Sequence, residues 1–212
     1  MVKISPSILS CDFANMKEDI KTITNFVEYL HIDVMDGVFV NNISIGIPVV
    51  KALRPHFDVA FDTHLMIVNP ERYIKQFAEA GSDIITFHLE ATSDSHHVID
   101  LIHSYNVKAG ISIKPKTNVE ELIPYLDKVE LILIMSVEPG FGGQKFDPSA
   151  LEKISWLKNM KEEKGYTYEI EVDGGINGDT GKLCKDSGVD VLVSGSYIFN
   201  KDNREEAINS LR

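Results

Sequence analysis

Short runs of β-branched and apolar residues alternate with longer amphipathic stretches along the whole chain. The runs predict strands over Ile4–Leu9, Tyr29–Met35, Phe61–Ile67, Asp83–Glu90, Lys108–Lys114, Leu131–Val137, Tyr168–Gly174 and Val191–Ser196. Most are apolar at successive positions, the mark of strands buried on both faces. Between them the pattern predicts helices over Asn15–Phe26, Pro48–Leu53, Glu71–Ala80, Ser95–Tyr105, Val119–Leu126, Ser149–Lys164, Asp179–Ser187 and Arg204–Leu211. Pro70 and Asp147-Pro148 are start signals, and Gly81, Gly165 and Gly188 are stop signals just past the last apolar residue. Strict alternation predicts an α/β fold with a parallel sheet covered by helices. Eight units of about 26 residues fit a closed (β/α)8 TIM barrel at the compact end of its range. No Gly-, Ser- or Pro-rich linker interrupts the pattern, so residues 1–212 read as one barrel domain.

Composition narrows the partners. A hydrophobic content of 43% is ordinary for a globular core. The net charge of −11, with no block of Lys and Arg, argues against nucleic acid and anionic membrane surfaces. No apolar stretch approaches the ~20 residues of a membrane span, and the amino terminus lacks a signal-peptide pattern. Cys11 and Cys184 form no CxxC pair and read as small packing residues, which fits a cytoplasmic protein.

Three words placed on predicted strands carry candidate chemistry: His31-Ile32-Asp33-Val34-Met35-Asp36-Gly37, Asp62-Thr63-His64-Leu65-Met66 and Glu171-Val172-Asp173-Gly174-Gly175. In the first, a spacing of two points His31, Asp33 and Met35 to one face. Asp36 has the opposite parity and reads as a turn or cap residue. Each word alone also fits a buried, hydrogen-bonded histidine or a turn-forming Asp-Gly. Barrel active sites lie at the carboxyl ends of the strands, where the ends of strands two, three and seven bring His31, Asp33, His64 and Asp173 to one rim. Two imidazoles and two carboxylates there predict a site for one divalent cation. Mixed nitrogen and oxygen ligands suit zinc, iron(II), manganese or cobalt, and spacing does not choose among them.

Glycine-rich turns follow the last three strands: Pro139-Gly140-Phe141-Gly142-Gly143-Gln144, Asp173-Gly174-Gly175 and Ser194-Gly195-Ser196. Turns at these places can bind phosphate through backbone N–H groups without Lys or Arg. Ser7, Met35, Met66 and Met135 fall near strand ends, where thioethers would shield a planar intermediate from water. His88 is either a partner of the site or a structural histidine; His56, His96, His97 and His103 read as solvated.

Taken together these segments closely resemble the ribulose-5-phosphate 3-epimerase family over nearly the whole chain. The resemblance rests on Ser5-Pro6-Ser7-Ile8-Leu9, the His31–Gly37 word, His64-Leu65-Met66, Val137–Gln144, Val172–Gly175 and Gly195-Ser196. It implies a ribulose-phosphate-binding barrel with one divalent metal on His31, Asp33, His64 and Asp173. It also implies Asp33 and Asp173 as the proton donor–acceptor pair. Substrate contacts are implied at Ser7, His64, Met35, Met66, Met135, Gly140, Phe141, Gly142, Gly143, Gly174, Gly175, Gly195 and Ser196. Two positions depart from the family pattern: Asn41 and Ile47 stand where prolines are usual, which predicts a looser loop after strand two. The resemblance further implies a small sugar-phosphate substrate and homo-oligomers, although no helix face identifies an interface.

The implied reaction interconverts ribulose 5-phosphate and xylulose 5-phosphate. The metal polarises the C2 carbonyl, and two aspartates on opposite faces of an enediolate remove and return the C3 proton. Zinc or iron(II) is the favoured ion. Allulose-6-phosphate 3-epimerase shares the metal set, but Gly175 and Gly195-Ser196 lean toward the pentulose. A decarboxylase or aldolase barrel is disfavoured because no Asp-x-Lys-x-x-Asp word is present. A non-catalytic sugar-phosphate sensor gains little by holding two acids beside a metal. Hydrogen moves as a proton, and no nicotinamide motif follows the first strand.

Overall fold

A computed structural model describes residues 1–212. The apolar runs form eight parallel strands: β1 (Lys3–Ser5), β2 (Tyr29–Met35), β3 (Ala60–Met66), β4 (Ile84–His88), β5 (Lys108–Ile113), β6 (Leu131–Met135), β7 (Glu169–Asp173) and β8 (Val191–Val193). They pair in the order β1-β8-β7-β6-β5-β4-β3-β2. The circle closes between β1 and β2 at a single bridge, Ser7 to His31, where His31 N donates to Pro6 O at 3.0 Å. The helices are α1 (Met16–Lys21), α2 (Ile47–Leu53), α3 (Ile74–Ala80), α4 (Ser95–Ser104), α5 (Ser149–Lys164), α6 (Gly178–Ser187), α7 (Ser196–Phe199) and α8 (Arg204–Leu211).

Strand parity sorts the side chains into two layers. Leu30, Ile32, Val34, Phe61 and Leu65 belong to the continuous apolar core that β2 and β3 share with the helices. The alternate residues point into the barrel, and the register stacks them in rows. His31 pairs with Asp62, Asp33 with His64 and Met35 with Met66, while Met135 of β6 pairs with Asp173 of β7.

Differences from the sequence reading fall at element ends. β1 stops at Ser5 because Pro6 has no N–H to give the ladder. The chain then turns through a 3-10 segment, Ile8–Ser10, whose Leu9 N–H donates to Ser7 Oγ. The first predicted helix is split into α1 and a 3-10 turn at Thr24–Phe26. A 3-10 turn at Pro70–Arg72 precedes α3, and another at Leu89–Ala91 follows β4. Val119–Tyr125 is a 3-10 helix containing Pro124, whose ring removes a donor and crowds the preceding turn. β8 ends at Val193, and Ser196 begins the short α7 rather than ending a strand.

Candidate active site

At the carboxyl ends of the strands lies a cavity of about 620 Å³. Its lining includes Ser7, Asp33, Met35, Met66, Met135, Gly140, Phe141, Gly142, Gly143, Asp173, Gly174, Gly175, Gly195 and Ser196. His31 and His64 are fully buried and are not part of this lining. His64 sits in the same row as Asp33, which does line the cavity, one row below Met35 and Met66.

Beneath the cavity the four ionisable groups converge. His31, Asp33, His64 and Asp173 offer donor atoms that all lie within 4.8 Å of one another. Three of these atoms form a nearly regular triangle. His31 Nε2 is 3.3 Å from His64 Nδ1, His64 Nδ1 is 3.3 Å from Asp33 Oδ1, and His31 Nε2 is 3.4 Å from Asp33 Oδ1. Ligand separations of about 3.3 Å are the edges of a tetrahedron with metal–ligand bonds of about 2.0 Å. The set therefore fits a small divalent cation in spacing and in donor chemistry, and leaves the choice of metal open.

The surrounding groups hold these atoms in place. His31 Nδ1 donates to Asp62 Oδ2 at 2.6 Å, which leaves Nε2 free to ligate. Ser5 Oγ donates to the same carboxylate oxygen at 3.3 Å. Ser7 Oγ donates to Asp33 Oδ2 at 2.5 Å, fixing the carboxylate whose other oxygen faces the imidazoles. Ser136 Oγ donates to the carbonyls of Asp173 and Gly174, pinning the end of β7.

Electrostatics separates the two aspartates. Burial by itself would raise the Asp33 carboxyl, but the His31 and His64 imidazoles overrule it and hold Asp33 well below the usual range. Loss of hydration, reinforced by the Asp33 charge, pushes Asp173 up to about 6. Burial opposes a charge on His31, yet Asp62 and Asp33 overrule it and raise this imidazole well above its ordinary value, so a cation binding at Nε2 would displace a proton. Below them, burial and the Asp62 charge push Glu171 well above the usual carboxylate range.

The loops over the mouth are tied together. Asp36 accepts from the N–H groups of Val38, Phe39 and Val68, as its parity predicted. Ser44 Oγ donates to Asp33 O at 2.5 Å and accepts from Met35 N at 3.0 Å. Asn42 Nδ2 donates to Gly140 O at 2.7 Å, joining the loop after β2 to the loop after β6. Thus the segment carrying Asn41 is anchored on both sides by these bonds. Ile47 opens α2 directly ahead of Pro48.

The turn after β7 packs tightly against the β6 loop. Gly175 has φ +61°, and a Cβ built there would lie 2.4 Å from Phe146 N and 2.8 Å from Gln144 O. Only glycine fits such a contact. Asp62, Ser5 and Glu171 are inward-facing partners that sequence reasoning did not place, and His88, open between two readings there, faces His64. The spacing of two inside Asp62-Thr63-His64 and Glu171-Val172-Asp173 held the signal for two of them.

Known proteins share this fold, and others share much of this sequence. The family model described as "Ribulose-phosphate 3 epimerase family" matches residues 3–199. "Ribulose-phosphate 3-epimerase" of Bacillus subtilis (strain 168) is 46% identical, covering 100% of this chain and 99% of the relative. The protein of the same name from Schizosaccharomyces pombe is 42% identical, covering 99% and 92%. "Ribulose-5-phosphate-3-epimerase, chloroplastic" of Arabidopsis thaliana is 44% identical, covering 99% and 75%. Among solved structures, KGPDC from Streptococcus mutans superposes with a TM-score of 0.78 at 16% identity, covering 99% of this chain and 95% of that one. That likeness is one of fold. No helix is long and apolar enough to cross a membrane.

Proposed function

Because this chain belongs to the ribulose-phosphate 3-epimerase family and is an epimerase, we propose that it interconverts D-ribulose 5-phosphate and D-xylulose 5-phosphate through Asp33 and Asp173. The observation that carries the reading is the convergence of His31, Asp33, His64 and Asp173 at the base of one cavity. These four residues would hold a divalent cation, with zinc or iron(II) favoured and manganese or cobalt accommodated by the same donors. A cation there supplies Lewis-acid polarisation of the substrate's C2 carbonyl, which acidifies the C3 hydrogen.

Asp33, ionised and oriented by Ser7, takes the C3 proton in the ribulose-to-xylulose direction. Asp173, whose carboxyl holds a proton more readily, returns one to the opposite face. Their roles exchange in the reverse direction. Two carboxyls with opposed proton affinities in one mouth support this division of labour. Met35, Met66 and Met135 line the cavity and shield the planar enediolate from water. Backbone N–H groups of the Gly142-Gly143, Gly174-Gly175 and Gly195-Ser196 turns receive the phosphate, with Ser7 and Phe141 completing the lining. By family resemblance the chain acts as a cytoplasmic homo-oligomer, whose association light scattering checks directly.

The test is turnover of ribulose 5-phosphate and allulose 6-phosphate, side by side, by metal-reconstituted protein in D2O. The expected result is faster turnover of the pentulose, with deuterium entering at C3. Preference for the hexulose would reassign the substrate, absence of turnover would favour a sensor, and full retention of the C3 hydrogen would remove the two-aspartate assignment.

A further inference from the structure

His64 has a second ring nitrogen that the proposed chemistry leaves unused. Its Nε2 lies 2.9 Å from Nε2 of His88, with both side chains fully buried. The ring centroids are 5.0 Å apart and the planes are inclined by 33°. Two imidazole nitrogens at this distance share one proton. His64 Nδ1 faces His31 and Asp33 and must keep its lone pair to ligate a cation, so the proton belongs on His64 Nε2. His88 Nε2 then accepts, and the single proton of a neutral His88 moves to Nδ1.

That nitrogen faces Glu90 Oε2 at 3.4 Å, a long contact that is an ion–dipole attraction more than a full hydrogen bond. Glu90 is itself fixed from outside the barrel. Its Oε1 accepts from Lys114 N at 2.8 Å and from Thr117 Oγ1 at 2.5 Å. Lys153 Nζ donates to the carbonyls of Lys114, Pro115 and Thr117, bracing the same turn from α5. Phe39, from the loop after β2, packs its ring 4.9 Å from His88.

We propose that His88, oriented by Glu90, is a positioning residue that locks His64 in the tautomer whose Nδ1 ligates the cation. The inference rests on the metal-site reading of the preceding section. It makes the two histidine ligands unequal. His31 is backed by the Asp62 carboxylate, which strengthens it as a donor, whereas His64 is backed by a neutral imidazole that orients it without adding charge.

Nitrogen-detected NMR of the zinc-loaded native protein reads the two tautomers directly. The expected result is a proton on Nε2 of His64 and on Nδ1 of His88; a proton on Nε2 of His88 overturns the proposal. Variants then test its effect through chelator competition for zinc and the absorption spectrum of bound cobalt. His88→Leu should weaken cation binding by about 10–100-fold, the range typical for partners behind metal ligands. His88→Gln offers an oxygen acceptor to His64 and should recover most of that loss. KM for the sugar phosphate should stay within about twofold in every metal-saturated variant, because the phosphate turns lie on other strands. Equal losses in the leucine and glutamine variants would indicate packing alone and overturn the relay. So would unchanged affinity and cobalt spectrum in His88→Leu. Native protein that takes up no zinc or cobalt overturns the metal reading itself, a result distinct from tight native binding that ignores His88.

Discussion

The contact at Gly175 leads to a quantitative prediction for substrate binding. In Gly175→Ala the new Cβ would stand 2.4 Å from Phe146 N, 2.8 Å from Gln144 O and 2.9 Å from Phe146 Cα. All three are backbone atoms, so no side-chain rotation relieves the clash. The segment must move outward by about 1 Å to reach van der Waals separation. The left-handed backbone at φ +61° adds about 1–2 kcal/mol of strain for a residue with a Cβ. A 1 Å shift of N–H groups aimed at a phosphate is enough to break one or two charge-assisted hydrogen bonds. The loss should be about 1.5–3 kcal/mol, or roughly 10–100-fold in kcat/KM, carried mainly by KM. Steady-state kinetics on the phosphorylated pentulose and its phosphate-free analogue, with metal content measured in parallel, reads this out. The analogue should be nearly unaffected. If both substrates lose equally, or if KM does not move, the turn shapes the fold and does not cradle phosphate.

Asp33→Asn and Asp173→Asn should each lower turnover by roughly 10²–10⁴-fold, measured with bound metal quantified so that a lost ligand is not mistaken for a lost base. A metal-loaded variant with near-native turnover would remove that aspartate from proton transfer. Chelator treatment should abolish epimerisation, with zinc, iron(II), manganese or cobalt restoring it. His64→Ala should lose metal while His96→Ala, on the exposed face of α4, keeps it; equal metal content in the two contradicts the ligand set. Glu90 supplies a pH prediction for stability. Burial opposes its charge, but the nearby His88 ring and hydrogen bonds from Thr117 and Lys114 pull its pKa down from 4.5 to about 2. A depressed folded-state pKa contributes stability above the unfolded value that disappears as pH falls toward about 2. Denaturant midpoints should therefore decline less steeply between pH 4.5 and 2 in Glu90→Gln than in the native chain, and parallel curves would contradict the assignment.

The strand cores were legible because parallel strands buried on both faces leave a continuous apolar signal, as in Leu131–Met135. Their ends were not, because there the outcome depends on single donors and caps. Pro6 ends β1, Pro124 tightens a helix into a 3-10 turn, and Gly195 turns the chain into a four-residue helix too short to show periodicity. The ligand set was legible for a different reason: spacings of two within words assign a face without tertiary information. Lateral neighbours were illegible, since Asp62 meets His31, and His88 meets His64, only through the strand register and barrel curvature. Depth was illegible for the same reason: parity points His64 inward, but only the register puts the Met35–Met66 row above it.

Between β1 and β2 the ring is closed differently from everywhere else. Apart from the Ser7–His31 bridge, side chains do much of the joining there. Ile4 N donates to Glu28 Oε2, Arg212 holds the other oxygen of Glu28, and Lys3 Nζ donates to Tyr29 OH. Ladder bonds open cooperatively, whereas such stitches can let go one at a time, so this seam is where the ring should breathe most easily. Its two lips carry Ser7 and Asp33, so each opening would carry the hydroxyl away from the carboxylate it orients. A cation shared by β2, β3 and β7 would stiffen one lip only. Amide exchange should thus slow on metal binding at His31 and Asp33 more than at Ile4, whose N–H is held across the seam by Glu28.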